Sequence, residues 1–356
     1  NLPTEGQDEV HCGTQSILSR IDERTCNNQP HPEYPRASIP LMPVLSHSGL
    51  TSARSTTPSL LDLPYLPTSA GRAAICLALE HAGIGPGDEV LVPALHCESM
   101  IAPVEHIGAK PVFYRITRDT LVDLDDIESN ISEKTRAILA THYFGFPQRM
   151  GNLRALCDHK GLTLIEDCAH AFLGSPGGTP VGTMGDYAIG SAMKFFPIFD
   201  GGLLVSTRHT LQPAGLFQPS AALEAKALVG MLEYAMRYGR LRLVGLPLRI
   251  AMWIKDIGWR TLKAASGGKV GANIAPASSE GGYSLDPYWI RAKMSRVSLF
   301  IIRYSDMDRV YSARRQNYDR IVQALDGAPG LAPLFPSLPE GVAPLVVPML
   351  VSDPEA

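Results

Sequence analysis

From about Thr68 to Arg208, short apolar runs alternate with segments of helical spacing. Glu89–Val92, Lys110–Tyr114, Arg136–Tyr143, Leu162–Glu166, Tyr187–Ala192 and Gly202–Ser206 read as strands. Between them, Gly71–His81 carries Ala74, Leu77 and Ala78 on one helical face, and Ser99–His106 and Leu153–His159 also read as helices. Gly85-Pro86-Gly87-Asp88 marks a turn. Strands that are apolar along their whole length, with no polar alternation, are buried on both faces, as in a parallel sheet lying between helices. The pattern therefore predicts an α/β fold whose large domain has a mostly parallel sheet covered by helices. Ligands of such sheets bind beyond the strand C-termini. His142, Asp167 and Lys194 all fall at or just after predicted strand ends.

The rest of the chain divides by composition. Residues 1–45 are polar and proline-spotted and predict a loosely packed N-terminal arm. Residues 46–266 form the large domain, and within it 221–263 changes character. There, eight basic residues face three acids, interleaved with leucines, methionines, Trp253 and Trp259. Such a segment either packs amphipathic helices on the main domain or a second subunit, or lies along a membrane surface with its arginines near head groups. No charge-free run is long enough to span a bilayer. Residues 267–282, rich in Gly, Ser and Ala, predict a flexible loop; 283–326 predicts one long helix. Residues 327–356 predict the start of a smaller C-terminal domain, with a strand over Pro344–Ser352 after which the chain stops, as though truncated.

Composition narrows the function only by exclusion. With 356 residues, 45% hydrophobic and 19% charged, and a net charge of −3, the chain is ordinary globular protein without the basic footprint of a nucleic-acid binder. Six scattered cysteines with no C-x-x-C pair predict reduced thiols in a cytoplasmic protein, with neither a disulfide framework nor a metal site.

The chemistry lies in two positions. Asp167 closes the apolar run Ile165-Glu166-Asp167, and Lys194 follows 27 positions later, just after the next run. A lysine amine can hold an aldehyde as a Schiff base, and a carboxylate can keep a pyridine nitrogen protonated so that its ring accepts electrons. That pairing is what pyridoxal 5'-phosphate (PLP) needs. Lys194 sits between an apolar strand and Phe195-Phe196-Pro197, which predicts partial burial and a lowered pKa. Ser69-Ala70-Gly71-Arg72 opens a helix, where free N–H groups and the dipole could receive a phosphate, or where Ser69 could be an ordinary N-cap. His170 could contact the same cofactor or be a satisfied core histidine, and Ser191 could add a hydroxyl to the phosphate.

The chain also resembles the DegT/StrS-type sugar aminotransferases of PLP fold type I. The matching stretches are Gly71-Arg72-Ala73-Ala74, Gly85-Pro86-Gly87-Asp88-Glu89-Val90-Leu91-Val92-Pro93, Gly108-Ala109-Lys110-Pro111-Val112-Phe113, His142-Tyr143-Phe144-Gly145, Glu166-Asp167-Cys168-Ala169-His170, Gly185-Asp186 and Asp200-Gly201-Gly202, with a weaker echo in Arg314-Arg315-Gln316-Asn317-Tyr318. The resemblance implies Lys194 as the cofactor-linked and catalytic lysine, Asp167 as the pyridinium partner and His170 as a residue near the ring. It implies Gly71 and Arg72 in the phosphate turn, although the family usually has Gly-Thr there. Ser191 matches the phosphate serine at a shorter spacing to the lysine. The ring-stacking aromatic that often follows Pro93 is replaced by Ala94-Leu95-His96-Cys97, so His96 or Cys97 covers that face. The implied activity is transfer of an amino group from an amino acid, usually glutamate, to a keto-sugar, usually nucleotide-linked, by a homodimer. A dehydratase or lyase on the same scaffold, or a non-catalytic membrane- or partner-binding homologue, are the rivals.

Overall fold

The computed structural model describes residues 40, 42–212, 215–241 and 285–352. The compact unit spans Pro40–Ala356. Its elements run β1 (Tyr65–Thr68), α1 (Gly71–His81), β2 (Glu89–Pro93), α2 (Glu98–His106), β3 (Lys110–Tyr114), α3 (Leu124–Asn130), β4 (Thr135–Thr141), α4 (Met150–Lys160), β5 (Thr163–Asp167), β6 (Tyr187–Ser191), β7 (Gly202–Val205), α5 (Ala221–Arg237), α6 (Pro287–Ile290), α7 (Arg296–Arg303), α8 (Met307–Ala324), β8 (Leu331–Pro333) and β9 (Met349–Val351).

Seven strands form one sheet in the order β1-β7-β6-β5-β4-β2-β3. Strands β3, β2, β4, β5 and β6 pair in parallel, while β7 runs antiparallel between β6 and β1. The expected α/β architecture with a mostly parallel sheet is therefore present. The central strands are apolar throughout because both faces are covered: Val90, Leu91, Ala137, Ile138, Leu139, Leu164 and Ile165 are all fully buried. β1 was not legible in the sequence. It is an edge strand of four residues interrupted by Pro67, and proline is tolerated only where no inward N–H is required.

The two glycines after Asp200 are required by packing. Gly201 adopts φ +134°. A Cβ on Gly202 would run into the backbone of Ala70 and Gly71. In register, Gly202 pairs with Thr68 on one side and Ser191 on the other, so β7 brings the start of α1 against the end of β6.

Residues 283–326 do not form one helix. Among the described residues they divide into α6, α7 and α8, and Asp286, Ser295 and Asp306 each cap a new N-terminus through the side chain. The helical periodicity continued across these stops, which is why they were missed. α5 buries Leu223, Ala227, Met231 and Ala235, the last three in the large core cluster, so this part of 221–263 has one face packed on the protein. The rest of that segment from 242 on, the loop over 267–282 and most of the N-terminal arm lie outside the described residues. Near the C-terminus, β8 and β9 form a two-stranded antiparallel sheet, shorter than the strand expected over Pro344–Ser352. Phe146, Tyr318 and Val342 form a small separate core cluster, with Phe335 stacked on Phe146.

Candidate active site

The C-terminal ends of β5 and β6, adjacent and parallel, bring Asp167 and the turn Ala192–Lys194 to one end of the sheet. Asp167 is 3% exposed and accepts a hydrogen bond from the Ala169 N–H at 2.9 Å. Burial raises its pKa, against the opposing pull of that N–H, Lys194 and His142. Lys194 is partly buried. Desolvation lowers the pKa of its amine, partly offset by attraction to Asp167 and Cys97. The two groups predicted from spacing therefore share one electrostatic environment, with the amine biased toward its neutral form. Beside them in register, the Thr141 hydroxyl is buried without a well-formed hydrogen bond, although it is near enough to help hold down the Asp167 carboxyl.

The start of α1 lies next to this turn. Ala70 occupies the N-cap position and supplies no side-chain cap. Ser69, the apparent cap in the sequence, donates its hydroxyl to Trp289 O at 2.6 Å. The Thr68 hydroxyl donates to Ala70 O at 3.0 Å, and Gly201 N–H donates to Ser69 O at 2.8 Å. The first-turn N–H groups thus have no side-chain cap, and a Cβ at Gly71 would sit 3.6 Å from both Gly190 O and the Ser191 Cβ. Gly71 and Ser191 thus lie side by side, with Arg72 the next residue in the first turn of α1. Burial lowers the pKa of Arg72, with Cys97 and Glu98 pulling it back up.

His170 is brought to the site by the turn after β5. Its Nδ1 accepts from the Phe144 N–H at 3.3 Å, and its ring lies nearly parallel to that of Phe144. Burial, together with the nearby Lys194 charge, lowers its pKa to about 3. The neutral ring with Nδ1 as acceptor carries its proton on Nε2. Phe144 adopts φ 58°, a left-handed conformation unusual for a bulky residue, and that conformation accompanies the approach of its N–H to His170.

The structure sets the His96 ring against Phe113. This ring is exposed, stacks on Phe113 with centroids 4.9 Å apart, and engages Pro93 O through Nδ1 at 3.0 Å. The adjacent Cys97 is the residue within electrostatic reach of Lys194, Arg72 and Tyr143. The physical reason is alternation: neighbouring residues in an extended loop point to opposite sides, and Phe113 at the end of β3 offers His96 an aromatic partner. Tyr143 fixes this loop by donating its hydroxyl to Leu95 O at 2.5 Å.

Sequence reasoning missed the buried support beneath the site. Glu166 points away from Asp167, as period-two alternation in β5 requires, and accepts from the N–H groups of Gly185, Met184 and Gly182 at 2.5, 2.6 and 3.2 Å. His142 Nε2 lies 3.1 Å from Glu166, and His142 Nδ1 accepts from Gln148 N–H at 3.0 Å. Burial raises the Glu166 pKa, but His142 and these amides more than offset it and the net shift is downward. Cys168 completes a compact His142–Glu166–Cys168 group, in which both imidazole nitrogens are already engaged. An acid paired in sequence with Asp167 was the available signal.

Residues 65–215 match the DegT/DnrJ/EryC1/StrS aminotransferase family. The resemblance read from the motifs is thereby supported over the segment that carries them. GDP-perosamine synthase of Vibrio cholerae is 39% identical over 141 residues, which cover 39% of this chain and 38% of that protein. The dTDP-4-dehydro-2,3,6-trideoxy-D-glucose 4-aminotransferase of Saccharopolyspora spinosa is 38% identical over 138 residues, covering 38% of this chain and 36% of that one. The matched part thus spans little more than a third of these relatives. The crystal structure of AtS13 from Actinomadura melliaura shares the fold, with a TM-score of 0.53, 21% identity, and coverage of 88% of this chain and 80% of that one.

Proposed function

We propose that this chain is a PLP-dependent aminotransferase that moves an amino group from an amino acid, glutamate for preference, to a nucleotide-linked keto-sugar. The observation that carries the reading is the partly buried Lys194 amine sharing one environment with the buried Asp167 carboxylate at the ends of neighbouring parallel strands. The names of the relatives, both tied to nucleotide sugars, support the acceptor class.

The residues present fit the cofactor. The uncapped start of α1 with Gly71, Arg72 and Ser191 would hold its phosphate, and Arg72 replaces a hydroxyl contact with a guanidinium, a strong phosphate ligand. Asp167 would hold the pyridine nitrogen protonated, and the underused Thr141 hydroxyl beside it offers a further polar contact. His170 would present its Nε2–H, and Cys97 lies within electrostatic reach of Lys194. When bound, PLP supplies an aldehyde for the amine and a ring that accepts an electron pair. Lys194 Nζ, whose pKa burial lowers, would be the group that accepts and returns a proton at the substrate carbon. The Asp167 carboxylate would stabilise a protonated pyridine nitrogen, which strengthens the ring as an electron acceptor.

Borohydride reduction of protein incubated with PLP, followed by peptide mass spectrometry, should place the cofactor tag on Lys194, and Lys194→Ala should carry none. A wild-type protein that never takes up PLP would end the proposal. Incubation with glutamate alone should convert the bound cofactor to its amine form. A dehydratase or lyase would not make that half-reaction its product-forming step. We further take the enzyme to be a cytoplasmic homodimer with no nucleic-acid partner. Any peripheral membrane contact would run through the basic segment 221–263. No helix among the described residues is long and apolar enough to cross a membrane, and co-sedimentation with anionic vesicles tests surface binding.

A further inference from the structure

The Arg314 motif has no part in the mechanism above, yet its guanidinium reaches the reactive turn. Arg314 lies on α8, and its Nη2 donates to the carbonyl oxygen of Lys194 at 2.7 Å. Its Nη1 donates to Pro344 O and Leu345 O, each at 3.2 Å. The guanidinium carbon stands 4.4 Å from the centre of the Phe195 ring. Among the described residues no carboxylate pairs with it, so its charge is met by three carbonyl dipoles and an aromatic face. Burial lowers its pKa to about 10, which leaves it cationic at neutral pH.

The contact falls on the peptide of Lys194 itself. The turn Ala192–Lys194 is held from within by bonds from Phe195 N–H and Phe196 N–H to Ala192 O, each 3.0 Å, so Arg314 is what fixes the Lys194 carbonyl. A rotation of that peptide would swing the Cα–Cβ bond and aim the amine elsewhere. The same guanidinium opens a chain of bonds to the other side of the site. Leu345 N–H donates to Phe144 O at 2.7 Å, and Phe144 N–H donates to His170 Nδ1.

We propose that Arg314 is a positioning residue for Lys194, holding the lysine peptide so that the amine faces Asp167 and linking that geometry, through the 344–345 backbone and Phe144, to His170. The proposal rests on the reading of Lys194 as the reactive amine. A planar fork is needed to reach Lys194 O and the 344–345 carbonyls at once, which a lysine ammonium cannot reproduce in full.

Amide hydrogen–deuterium exchange on the full chain without cofactor tests it, comparing wild type, Arg314→Lys and Arg314→Met. Loss of hydrogen bonds from a charged donor should speed exchange over 192–196 by about tenfold in Arg314→Met, leave β4 unchanged, and give an intermediate rate in Arg314→Lys. Acylation of Lys194 by a small amine-reactive ester, followed by peptide mass spectrometry across pH, should show its midpoint moving up toward that of an ordinary lysine as the turn loosens. Unchanged exchange over 192–196, or an equal rise in every segment, would overturn the proposal, as would an unmoved acylation midpoint. If Arg314→Met does not fold, Arg314→Lys carries the same comparison. Failure of the wild type to bind PLP would sink the proposed activity but would leave both readouts standing, so the two failures are distinguishable.

Discussion

At the scale of the residue, the site depends on which buried groups are paired. Glu166 gathers three backbone N–H groups and the His142 imidazole, and Gly182, Gly185 and His142 among these partners are buried. Glu166→Ala should therefore cost about 3–5 kcal/mol, seen as a lower urea midpoint, because it leaves buried donors unmet. Lys194→Ala is different. It removes a partly buried amine with a lowered pKa and leaves Asp167 without its neighbouring cation. It should abolish cofactor attachment while moving the urea midpoint far less than Glu166→Ala. These roles were unequally legible. That Lys194 and Asp167 share one environment was readable because their order and spacing follow neighbouring strand ends. Glu166 was not, because alternation along a strand says that a neighbour points the other way but not what waits there. His96 and Cys97 stayed open as alternatives for the same reason: only the position of Phe113 shows which side of the loop the His96 ring takes.

At the scale of the element, three junctions aim the site. The first is the close passage of β7 under the start of α1. Gly202→Ala would force a methyl into the backbone of Ala70 and Gly71, and should cost about 3 kcal/mol and weaken any anion bound at the α1 N-terminus, checked by thermal unfolding and by phosphate titration. The second is Asp200, which is buried and accepts from Ser295 N–H, Ser295 Oγ and Ser298 Oγ at 2.6, 2.8 and 2.5 Å. It ties the turn before β7 to the N-terminus of α7, and it explains why an acid stands before the two glycines. The third is Asp308 in the first turn of α8, which grips Ser55, Thr56 and Thr57 through their hydroxyls and the N–H groups of Thr56 and Thr57. These bonds hold its pKa well below the ordinary carboxylate value. Asp308→Ala should release this segment, read as faster proteolytic cleavage near 53–57 with the central sheet unaffected.

At the scale of the whole molecule, the buried titratable groups set the response to acid. His170 is held neutral by burial down to about 3, whereas in the unfolded chain it takes up a proton near 6.5. The unfolded state then binds the extra proton, so stability is full above about pH 6.5 and falls as pH drops toward 3, by at most about 1.4 kcal/mol per unit. Glu166, Asp186 and Asp308 have lowered values, so they add a second loss as pH falls below about 4. Asp167 and Asp200, raised by burial, work in the opposite sense, since the folded state binds their protons more tightly. Urea midpoints across pH should show a decline that begins near 6.5, and His170→Gln should remove the part between 6.5 and 4.

The sequence by itself determined the layered architecture. Buried parallel strands must be apolar along their length, and helices must carry an apolar stripe, so their order is written in local pattern. It also pointed to Asp167 and Lys194 as one candidate pair, since in a parallel sheet the C-terminal strand ends lie on one side. Only the tertiary structure decided the rest. Three side-chain caps divide 283–326 into separate helices. Ser69 turns to Trp289 and leaves the α1 N-terminus open, and Arg314 reaches back across 120 positions to the Lys194 carbonyl. Such bonds join residues far apart in the chain, and no local spacing encodes a partner that only packing brings within reach.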